Sequence, residues 1–431
     1  MAKRRNILVI LCDQLRPDFL PIYGCEAIDT PNIDRLAAEG VVFDHAITQS
    51  TLCAPARATM MTGRYVFDHG VITNEIPFRE GVECVAERMN RAGYETAAFG
   101  KLHHYPSTDL KGFQTGVLLE EGRLEADEPY GRWIRNQHPE ASWFFNNKKP
   151  YEFDYPAEEY YDCWIAGQAI EFLAEQREKN KPFFMWLSFQ GPHGPYDPPH
   201  EFKGTCRSDK LPRPIIGKNN DRVPDIRRYR QAFEGNLLKT EQDYMNDREA
   251  YAEKIVLIDA MIGKVLDKLQ ANGQYENTTI IFSADHGDLL GDFQLSTKGP
   301  YSLRGQMDIP LIVANDPRLR RNERTEVLAG NIDIPATVLS VAGDEKPFGM
   351  SRSLLDIASG KPKTPRDVLF CEFGHEIKTV DDGDFRYSYY PFAGQAELYD
   401  LRTDPKQLNS LAGVPEYGKT ETDLLKRIID L

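Results

Sequence analysis

The stretch that decides the fold is Ile7-Leu-Val-Ile-Leu-Cys12, an unbroken apolar run followed at once by Asp13 and Gln14. A short run that is apolar on both faces is typical of a strand buried in the middle of a parallel sheet. The run is shorter than the roughly 7–15 apolar residues of a signal peptide, and no small-residue cleavage site follows it. We therefore interpret it as a buried strand.

Working outward from this strand, short apolar runs alternate with helical patterns along most of the chain. Such alternation predicts an α/β fold, with a mostly parallel sheet sandwiched by helices. The further strands predicted in this part of the chain are Glu95–Phe99, Pro182–Phe189, Thr278–Ser283 and Pro310–Ala314, and the helices are 30–40, Val82–Arg91 and Glu249–Gln270.

The C-terminal part of the chain has a different pattern, which begins after about Gly360. Short strands at Asp367–Phe373, Asp384–Tyr390 and Ala396–Leu401 precede a helix at Glu421–Leu431. This order predicts a small antiparallel α+β subdomain. We expect a catalytic α/β domain over residues 1–360 and a C-terminal subdomain over residues 361–431.

Composition excludes several classes of protein. The 52 basic and 66 acidic residues give a net charge of −14, which argues against a general nucleic-acid or anionic-membrane binder. No apolar segment approaches the length of a membrane-spanning helix. The seven cysteines are scattered and form no CxxC pair, so they predict neither a disulfide framework nor a zinc cluster. We expect a cytoplasmic protein, or a periplasmic one if a native signal was removed. Oligomeric state is not readable from the sequence.

Polar side chains directly follow four of the predicted strands. Because ligands bind beyond the carboxyl ends of the strands in such a sheet, these side chains should meet at one edge. Each alone has a plain explanation as a turn or capping residue, but the coincidence at four strand ends favours a functional site. The side chains are those of Asp13, Gln14, Lys101, His103, His104, His193, Asp285, His286 and Asp288.

Two kinds of chemistry are combined in this set. Asp13, Asp285 and the amide oxygen of Gln14 make an oxygen-rich site for a hard divalent cation. His286 adds a nitrogen ligand, which shifts the preference slightly towards Mn²⁺ or Zn²⁺. The groups that would hold a tetrahedral anion and manage its protons are Lys101, His103, His193 and Lys298.

The stretch Thr51-Leu-Cys-Ala-Pro-Ala-Arg-Ala-Thr-Met-Met-Thr-Gly-Arg64 contains a cysteine with unusual neighbours. A free cysteine is most often a buried small apolar residue. That explanation accounts for Cys53 but leaves Pro55, Arg57 and the Gly63-Arg64 pair without a reason.

With these residues in view, the chain resembles the type I, formylglycine-dependent sulfatases of the alkaline phosphatase superfamily. The resemblance covers most of the chain and rests on six elements in the right order. Those elements are Asp13-Gln14, Cys53-x-Pro55-x-Arg57 with Gly63-Arg64, Gly100-Lys101-Leu-His103, Pro192-His193-Gly-Pro195, Ser283-Ala-Asp285-His286-Gly-Asp288 and Lys298-Gly-Pro300.

The resemblance implies an alkaline-phosphatase-like fold and a sulfatase mechanism. Cys53 would be converted by a formylglycine-generating maturation enzyme into an aldehyde, whose hydrate attacks sulfur, displaces an alcohol and then expels sulfate. One divalent metal, with Ca²⁺ preferred over Mg²⁺ and Mn²⁺, would clamp the sulfate oxygens. The metal ligands implied are Asp13, Gln14, Cys53, Asp285 and His286.

The resemblance also implies roles for the cationic groups. Arg57 and Lys101 would stabilise the hydrate, and His103 would be the base for its collapse. His193 and Lys298 would bind the ester and protonate the leaving oxygen. Asn74 would also touch the substrate, although a turn asparagine explains it equally well. Residues 105–160, rich in aromatic side chains, and 203–235, rich in basic ones, are expected to wall the pocket.

Two alternatives to a sulfatase of carbohydrate or small-molecule sulfate esters stay open. The Asp13-Gln14 and Asp285-His286 pairs, where many relatives have Asp-Asp and Asp-Asn, also resemble the phosphonate monoester hydrolases and a choline-sulfatase-like branch. A phosphonate monoester or phosphodiester hydrolase is therefore the first alternative, although Lys101 and His103 argue against it. The second is a non-catalytic binder of sulfated glycans, for which a maturation signature would have no use.

Overall fold

The computed structural model describes residues 4–124, 128–141, 151, 153–176, 181–216, 239–359 and 366–431. The strands are β1 Asn6–Asp13, β2 Gly40–Phe43, β3 Ala46–Ile47, β4 Glu95–Gly100, β5 Thr115–Leu118, β6 Phe183–Pro192, β7 Thr278–Ala284, β8 Leu311–Ala314, β9 Glu323–Thr325, β10 Ala329–Gly330, β11 Leu369–Phe373, β12 Ile377–Asp381, β13 Phe385–Tyr390 and β14 Gln395–Asp400. The α-helices are α1 Pro31–Ala38, α2 Cys53–Thr62, α3 Val66–His69, α4 Val85–Arg91, α5 Pro129–Gln137, α6 Tyr161–Glu171, α7 Glu241–Ala271, α8 Arg304–Met307, α9 Ile334–Val341, α10 Leu354–Ala358 and α11 Gly418–Ile429.

The central sheet has eight strands in the order β5-β4-β6-β1-β7-β8-β2-β9. Every neighbouring pair is parallel except β7 with β8 and β8 with β2, so β8 runs against the others. The α/β prediction with a mostly parallel sheet is therefore confirmed. β1 lies between β6 and β7 and is buried over its whole length, which explains why its sequence is apolar on both faces.

The order of the strands places the polar strand ends side by side. β4, β6, β1 and β7 are consecutive in the sheet and parallel, so their carboxyl ends lie at one edge. The long helix α7 packs over β6 and α6 on one face of the sheet. The four strand ends singled out in the sequence are thus adjacent in space.

The C-terminal sheet is antiparallel, in the order β11-β12-β13-β14, and α11 packs on it. This agrees with the expected antiparallel α+β unit. The sequence patterns missed β12, whose alternation is obscured by Lys378 and Thr379. The proposed boundary between residues 360 and 361 lies outside the described residues and stays a prediction.

The stretch 105–160 is more regular than its composition indicated. It contains β5 at the edge of the central sheet and the helix α5. Residues 142–150 of this stretch, and residues 217–235 of the basic segment, lie outside the described residues, so their expected place at the pocket stays a prediction. In the described part of the chain, no helix combines the length and the apolar character needed to cross a membrane.

Candidate active site

Cys53 is the first residue of helix α2 and is buried, with 2% of its surface exposed. Its Sγ atom lies 3.2 Å from Nε2 of His286 and 4.0 Å from Oδ1 of Asp13. Burial opposes ionisation, but the ammonium groups of Lys298 and Lys101 outweigh it and lower the pKa of the Cys53 thiol. A helix N-terminus adds a further preference for negative charge at this position.

Four potential metal ligands converge beside the thiol. One ligand atom from each of Asp13, Cys53, Asp285 and His286 lies within 4.8 Å of the others, and all four residues are buried. Two carboxylates, an imidazole and a sulfur-bearing side chain in a buried cluster fit a divalent cation. The structure therefore brings together four of the five implied metal ligands.

Gln14, the fifth implied ligand, has a positive φ of 67° directly after β1. Its backbone N–H donates to Oδ1 of Asp285 at 2.9 Å, and its side-chain amide donates to Asp288. Its Oε1 atom accepts a hydrogen bond of 2.5 Å from Nζ of Lys298. Gln14 thus joins two strand ends to the loop of Lys298.

Arg57 lies one turn along α2 from Cys53 and is fully buried. Its Nε donates to the carboxylate of Asp285 at 2.9 Å, and its Nη2 donates to that of Asp13 at 3.2 Å. Its Nη1 donates to the Lys101 carbonyl oxygen at 2.7 Å and to the Ser188 hydroxyl at 2.8 Å. Burial disfavours the charge, but the two carboxylates raise the pKa of Arg57 above its usual value. The guanidinium fixes both carboxylates in orientation.

Lys101 stands at the end of β4 with its Nζ between two carboxylates. It contacts Asp13 and lies 2.5 Å from Oε1 of Glu121. Arg123 and Gln190 also donate to the Glu121 carboxylate. Glu121 was not predicted as a site residue. It lies just past the carboxyl end of β5, so the strand-end rule would have found it if β5 had been recognised.

His103 follows Lys101 and has a φ of 55°. Its backbone N–H is held by the Glu120 carboxylate at 2.9 Å. Among the described residues, neither ring nitrogen of His103 has a hydrogen-bond partner, although both are buried. Burial and the neighbouring charge of Lys101 lower the pKa of His103 well below its usual range, so the ring is neutral.

His193 lies in the turn after β6. Its Nδ1 lies 2.6 Å from the Gly194 carbonyl oxygen and 3.9 Å from Oε1 of Glu121. Because a carbonyl only accepts, Nδ1 carries the hydrogen and Nε2 is left for another partner. Burial and the charge of Lys298 lower the pKa of His193 to about 4.

Asn74 caps the helix that carries the cysteine: its Oδ1 accepts a hydrogen bond of 3.2 Å from the Ala54 backbone N–H. A groove of about 500 Å³ lies next to it. Its lining residues are Leu52, Ile72, Thr73, Phe373, Gly374, His375, Glu376 and Phe392. Leu52 and Thr73 directly precede Cys53 and Asn74, so the groove adjoins the candidate site, and Phe392 at its rim is 71% exposed.

A second residue that sequence patterns missed is Asn331. Its side-chain amide donates to the Asp285 carbonyl at 3.0 Å and to the Thr48 hydroxyl at 3.2 Å. The first of these hydrogen bonds holds the backbone of Asp285, one of the potential metal ligands. It follows the two-residue strand β10, which carries no pattern that would identify it from the sequence.

Comparison with known proteins agrees with this geometry. The family model described as sulfatase matches residues 5–344, and the model described as the C-terminal region of N-sulphoglucosamine sulphohydrolase matches residues 301–431. An arylsulfatase of Clostridium perfringens is 30% identical, over 98% of this chain and 93% of the relative. The multifunctional alkaline phosphatase superfamily protein PehA of Trinickia caryophylli is 28% identical, over 99% and 95% of the two chains.

The crystal structure of a phosphonate monoester hydrolase of Agrobacterium radiobacter is similar, with a TM-score of 0.84 and 25% identity over 99% of this chain and 95% of that one. The fold is thus that of the alkaline phosphatase superfamily. The chain belongs to the sulfatase family. This membership classes it as a sulfuric ester hydrolase, and the family is typically metal-dependent.

Proposed function

We propose that this enzyme hydrolyses sulfate esters of a carbohydrate or small molecule at the Cys53 site, with formylglycine derived from Cys53 and one divalent metal. The observation that carries the proposal is the position of Cys53. It begins a helix, lies 3.2 Å from His286 and joins a buried cluster of four potential metal ligands. A structural cysteine requires none of these features.

The metal would be held by Asp13, Cys53 in its modified form, Asp285 and His286, with Gln14 beside them. The two carboxylates fit a hard cation, which supports Ca²⁺ before Mg²⁺ or Mn²⁺. When bound, the metal and the aldehyde hydrate together supply an acidified hydroxyl nucleophile and polarise the sulfate oxygens.

Arg57 and Lys101 would orient the two metal-ligand carboxylates beside the nucleophile. Arg57 forms ion pairs with both of them, Asp13 and Asp285, and Lys101 forms one with Asp13. His103 would take up a proton at one of its two ring nitrogens, which have no hydrogen-bond partner among the described residues. This is the property required of a base that frees sulfate in the second half of the reaction.

His193 and Lys298 would bind the ester and protonate its leaving oxygen. In the free enzyme the low pKa of His193 keeps the ring neutral at pH 7. A bound sulfate ester adds negative charge beside the ring, which raises that pKa and favours the protonated form. Substrate binding and charging of the general acid are thus coupled.

The groove beside Leu52 would take the organic part of the substrate. Its apolar and aromatic walls, with Phe392 at the rim, fit the face of a sugar or aryl ring. Phe392→Ala should raise KM for a ring-bearing sulfate ester with little change in kcat, whereas the KM for a small alkyl sulfate should stay unchanged. Equal changes in KM for both substrates would exclude this place for the ring.

The alternative is a phosphonate monoester or phosphodiester hydrolase. It is favoured by the similarity to a phosphonate monoester hydrolase of known structure and to a relative named as multifunctional. Lys101 and His103 support the sulfatase assignment instead.

One experiment decides between the two. The purified enzyme, matured with a formylglycine-generating enzyme, is assayed on an aryl sulfate, a phosphate diester and a phosphonate ester with the same leaving group. The Cys53 peptide is examined by mass spectrometry in parallel. Preference for the sulfate and a modified Cys53 support the proposal, while preference for the phosphonate, or an unmodified thiol with no sulfate release, refutes it.

A further inference from the structure

We propose that Lys254 and Asp162, two buried residues behind the candidate site, are positioning residues that orient His193 for proton donation to the leaving group. The inference rests on the proposed function, since it concerns the general acid of that reaction. The segment that carries His193 covers residues 190–195, which are the last three residues of β6 and the turn that follows it, and Lys254 and Asp162 bind this segment, called the turn below, from opposite ends.

Lys254 lies in the middle of helix α7 and is fully buried. Its Nζ donates hydrogen bonds to the carbonyl oxygens of His193 at 2.5 Å and Pro195 at 2.8 Å. The third donor goes to the hydroxyl of Tyr161 at 2.9 Å. Its closest ion-pair contact is with Asp197, at 4.0 Å. Two of the three ammonium hydrogens are therefore donated to backbone carbonyl oxygens of the turn.

Asp162, on helix α6, binds the other end of the turn and is also fully buried. Its carboxylate accepts hydrogen bonds from the backbone N–H groups of Gln190 at 2.7 Å and Gly191 at 3.1 Å. A Cβ atom at Gly191 would lie 2.6 Å from Oδ2 of Asp162 and 2.8 Å from Cδ1 of Ile258. The turn is thus packed directly against the two helices.

The reactive side of the same turn is also fixed. The backbone N–H of His193 donates to the carbonyl of Asp13 at 3.1 Å, which ties the turn to the end of β1. With Nδ1 directed to Gly194, the orientation of Nε2 depends on the backbone of residues 193–195. Lys254 binds the carbonyls of two of these residues, so it controls where the proton donor points.

Burying an ammonium group among backbone carbonyls is an expensive way to stabilise a fold. Replacement of buried ionic groups by apolar ones of similar size is often neutral or stabilising, so stability alone does not explain Lys254. A site must be held within roughly 0.5 Å of its working geometry, and groups behind the reacting residues provide that precision. The contacts of Lys254 and Asp162 fit this second purpose.

The test uses the dependence of rate on the leaving group. Lys254→Met keeps the length of the side chain and removes the charge and the donors. General acid catalysis contributes about 10²–10⁴-fold where the leaving group is a poor one and little where it leaves unaided. We expect kcat of the matured, metal-loaded enzyme to fall at least about 30-fold on an alkyl sulfate and less than about threefold on para-nitrophenyl sulfate.

Lys264→Met is the matched control, because Lys264 lies on the same helix but is exposed. It should leave both rates unchanged. Retained activity of Lys254→Met on para-nitrophenyl sulfate shows that the variant is folded. If Lys254→Met does not fold, Asp162→Asn carries the test: it is nearly isosteric, loses one acceptor for the turn and should change the two rates in the same direction by a smaller factor.

A second measurement does not depend on sulfatase activity. Hydrogen–deuterium exchange of the peptide spanning residues 188–196 should be faster in Lys254→Met than in wild type, with exchange elsewhere unchanged. Equal losses of kcat on both esters, or no loss and unchanged exchange, would overturn the assignment of Lys254. A wild-type enzyme that releases sulfate from neither ester would instead refute the proposed function, and the exchange result would then still report on the turn.

Discussion

Replacing Lys101 by methionine removes the cation shared by the two carboxylates of Asp13 and Glu121. The side chains of Lys101 and Asp13 are fully buried, and that of Glu121 is 15% exposed. Removing one partner of a buried ion pair costs about 3–5 kcal/mol. Because Arg57 and Arg123 still contact the two carboxylates, we expect Lys101→Met to lose about 3 kcal/mol of unfolding free energy at pH 7.

The loss should depend on pH in a defined direction. Burial alone would raise the pKa of Asp13 and Glu121, but the ammonium of Lys101 holds both well below their usual range. The stability that these two carboxylates provide is therefore present above their unfolded pKa of about 4 and is lost as the pH falls through the lower folded values. In Lys101→Met both pKa values rise, so its native state binds protons at a higher pH than wild type.

Since the unfolded chains titrate alike, the stability deficit of Lys101→Met should shrink on acidification. The slope is up to about 1.4 kcal/mol per pH unit for each extra proton bound. The measurement is urea unfolding of both proteins between about pH 5 and pH 8, with a chelator present so that no metal competes for Asp13. The double variant Lys101→Met/Glu121→Gln should recover part of the deficit at pH 7, because it removes one of the two buried carboxylates that lose the Lys101 ammonium.

Lys210→Met provides the control, since Lys210 pairs with Glu26 at 3.3 Å on the surface, where the two side chains are 50% and 75% exposed. Such a pair contributes less than about 1 kcal/mol, so Lys210→Met should leave the unfolding free energy nearly unchanged. A deficit of Lys101→Met that stays constant or grows as the pH falls would refute the reasoning, because the two carboxylates would then not be the groups that the ammonium stabilises.

Three further outcomes are expected. Cys53→Ala should release no sulfate in an ion-chromatography assay while keeping the wild-type circular dichroism spectrum; residual turnover would exclude Cys53 as the nucleophile. A chelator should abolish activity, and Ca²⁺ should restore it more fully than Mg²⁺ or Mn²⁺; full activity in the chelator would exclude a metal enzyme. His286→Asn should weaken binding of Mn²⁺ relative to Ca²⁺ in isothermal titration calorimetry, because it replaces a nitrogen ligand by an oxygen; an unchanged ratio would remove His286 from the ligand set.

The fold was predictable in its centre and less so at its edges. β1 and β7 are buried on both faces, and each contains a run that is apolar on both faces, Ile7–Cys12 and Ile280–Phe282, as is typical of a central strand. β5 has exposed and half-buried positions because it lies at the edge of the sheet, and it leaves no such run. Helix α7 begins at Glu241, where Thr240 caps it, eight residues before the predicted start at Glu249. The earlier start was missed because the first turns carry mostly polar side chains, which give no apolar periodicity.

The candidate site was predictable where its residues follow central strands or lie in a motif. Asp13, Lys101, His193 and Asp285 meet as the strand order requires. Glu121 was missed because its position depends on an edge strand. Lys254 was missed for another reason: it stands inside a regular helix, where sequence periodicity describes the face of the helix but not the backbone turn that packs against it.

The charge of the candidate site differs from the net charge of −14 of the whole chain. The three carboxylates of Asp13, Asp285 and Glu121 balance the three cations of Arg57, Lys101 and Lys298 in formal charge, and ion pairs join all of these side chains except Lys298. A divalent cation added to this balanced set leaves an excess of about two positive charges in a buried region, where they act over short distances with little screening. That excess of positive charge would match the two negative charges of the proposed substrate and nucleophile, one on the sulfate ester and one on the deprotonated hydroxyl. Metal binding would therefore turn a neutral cluster into an anion site, and the overall composition, which averages over the whole surface, does not reveal it.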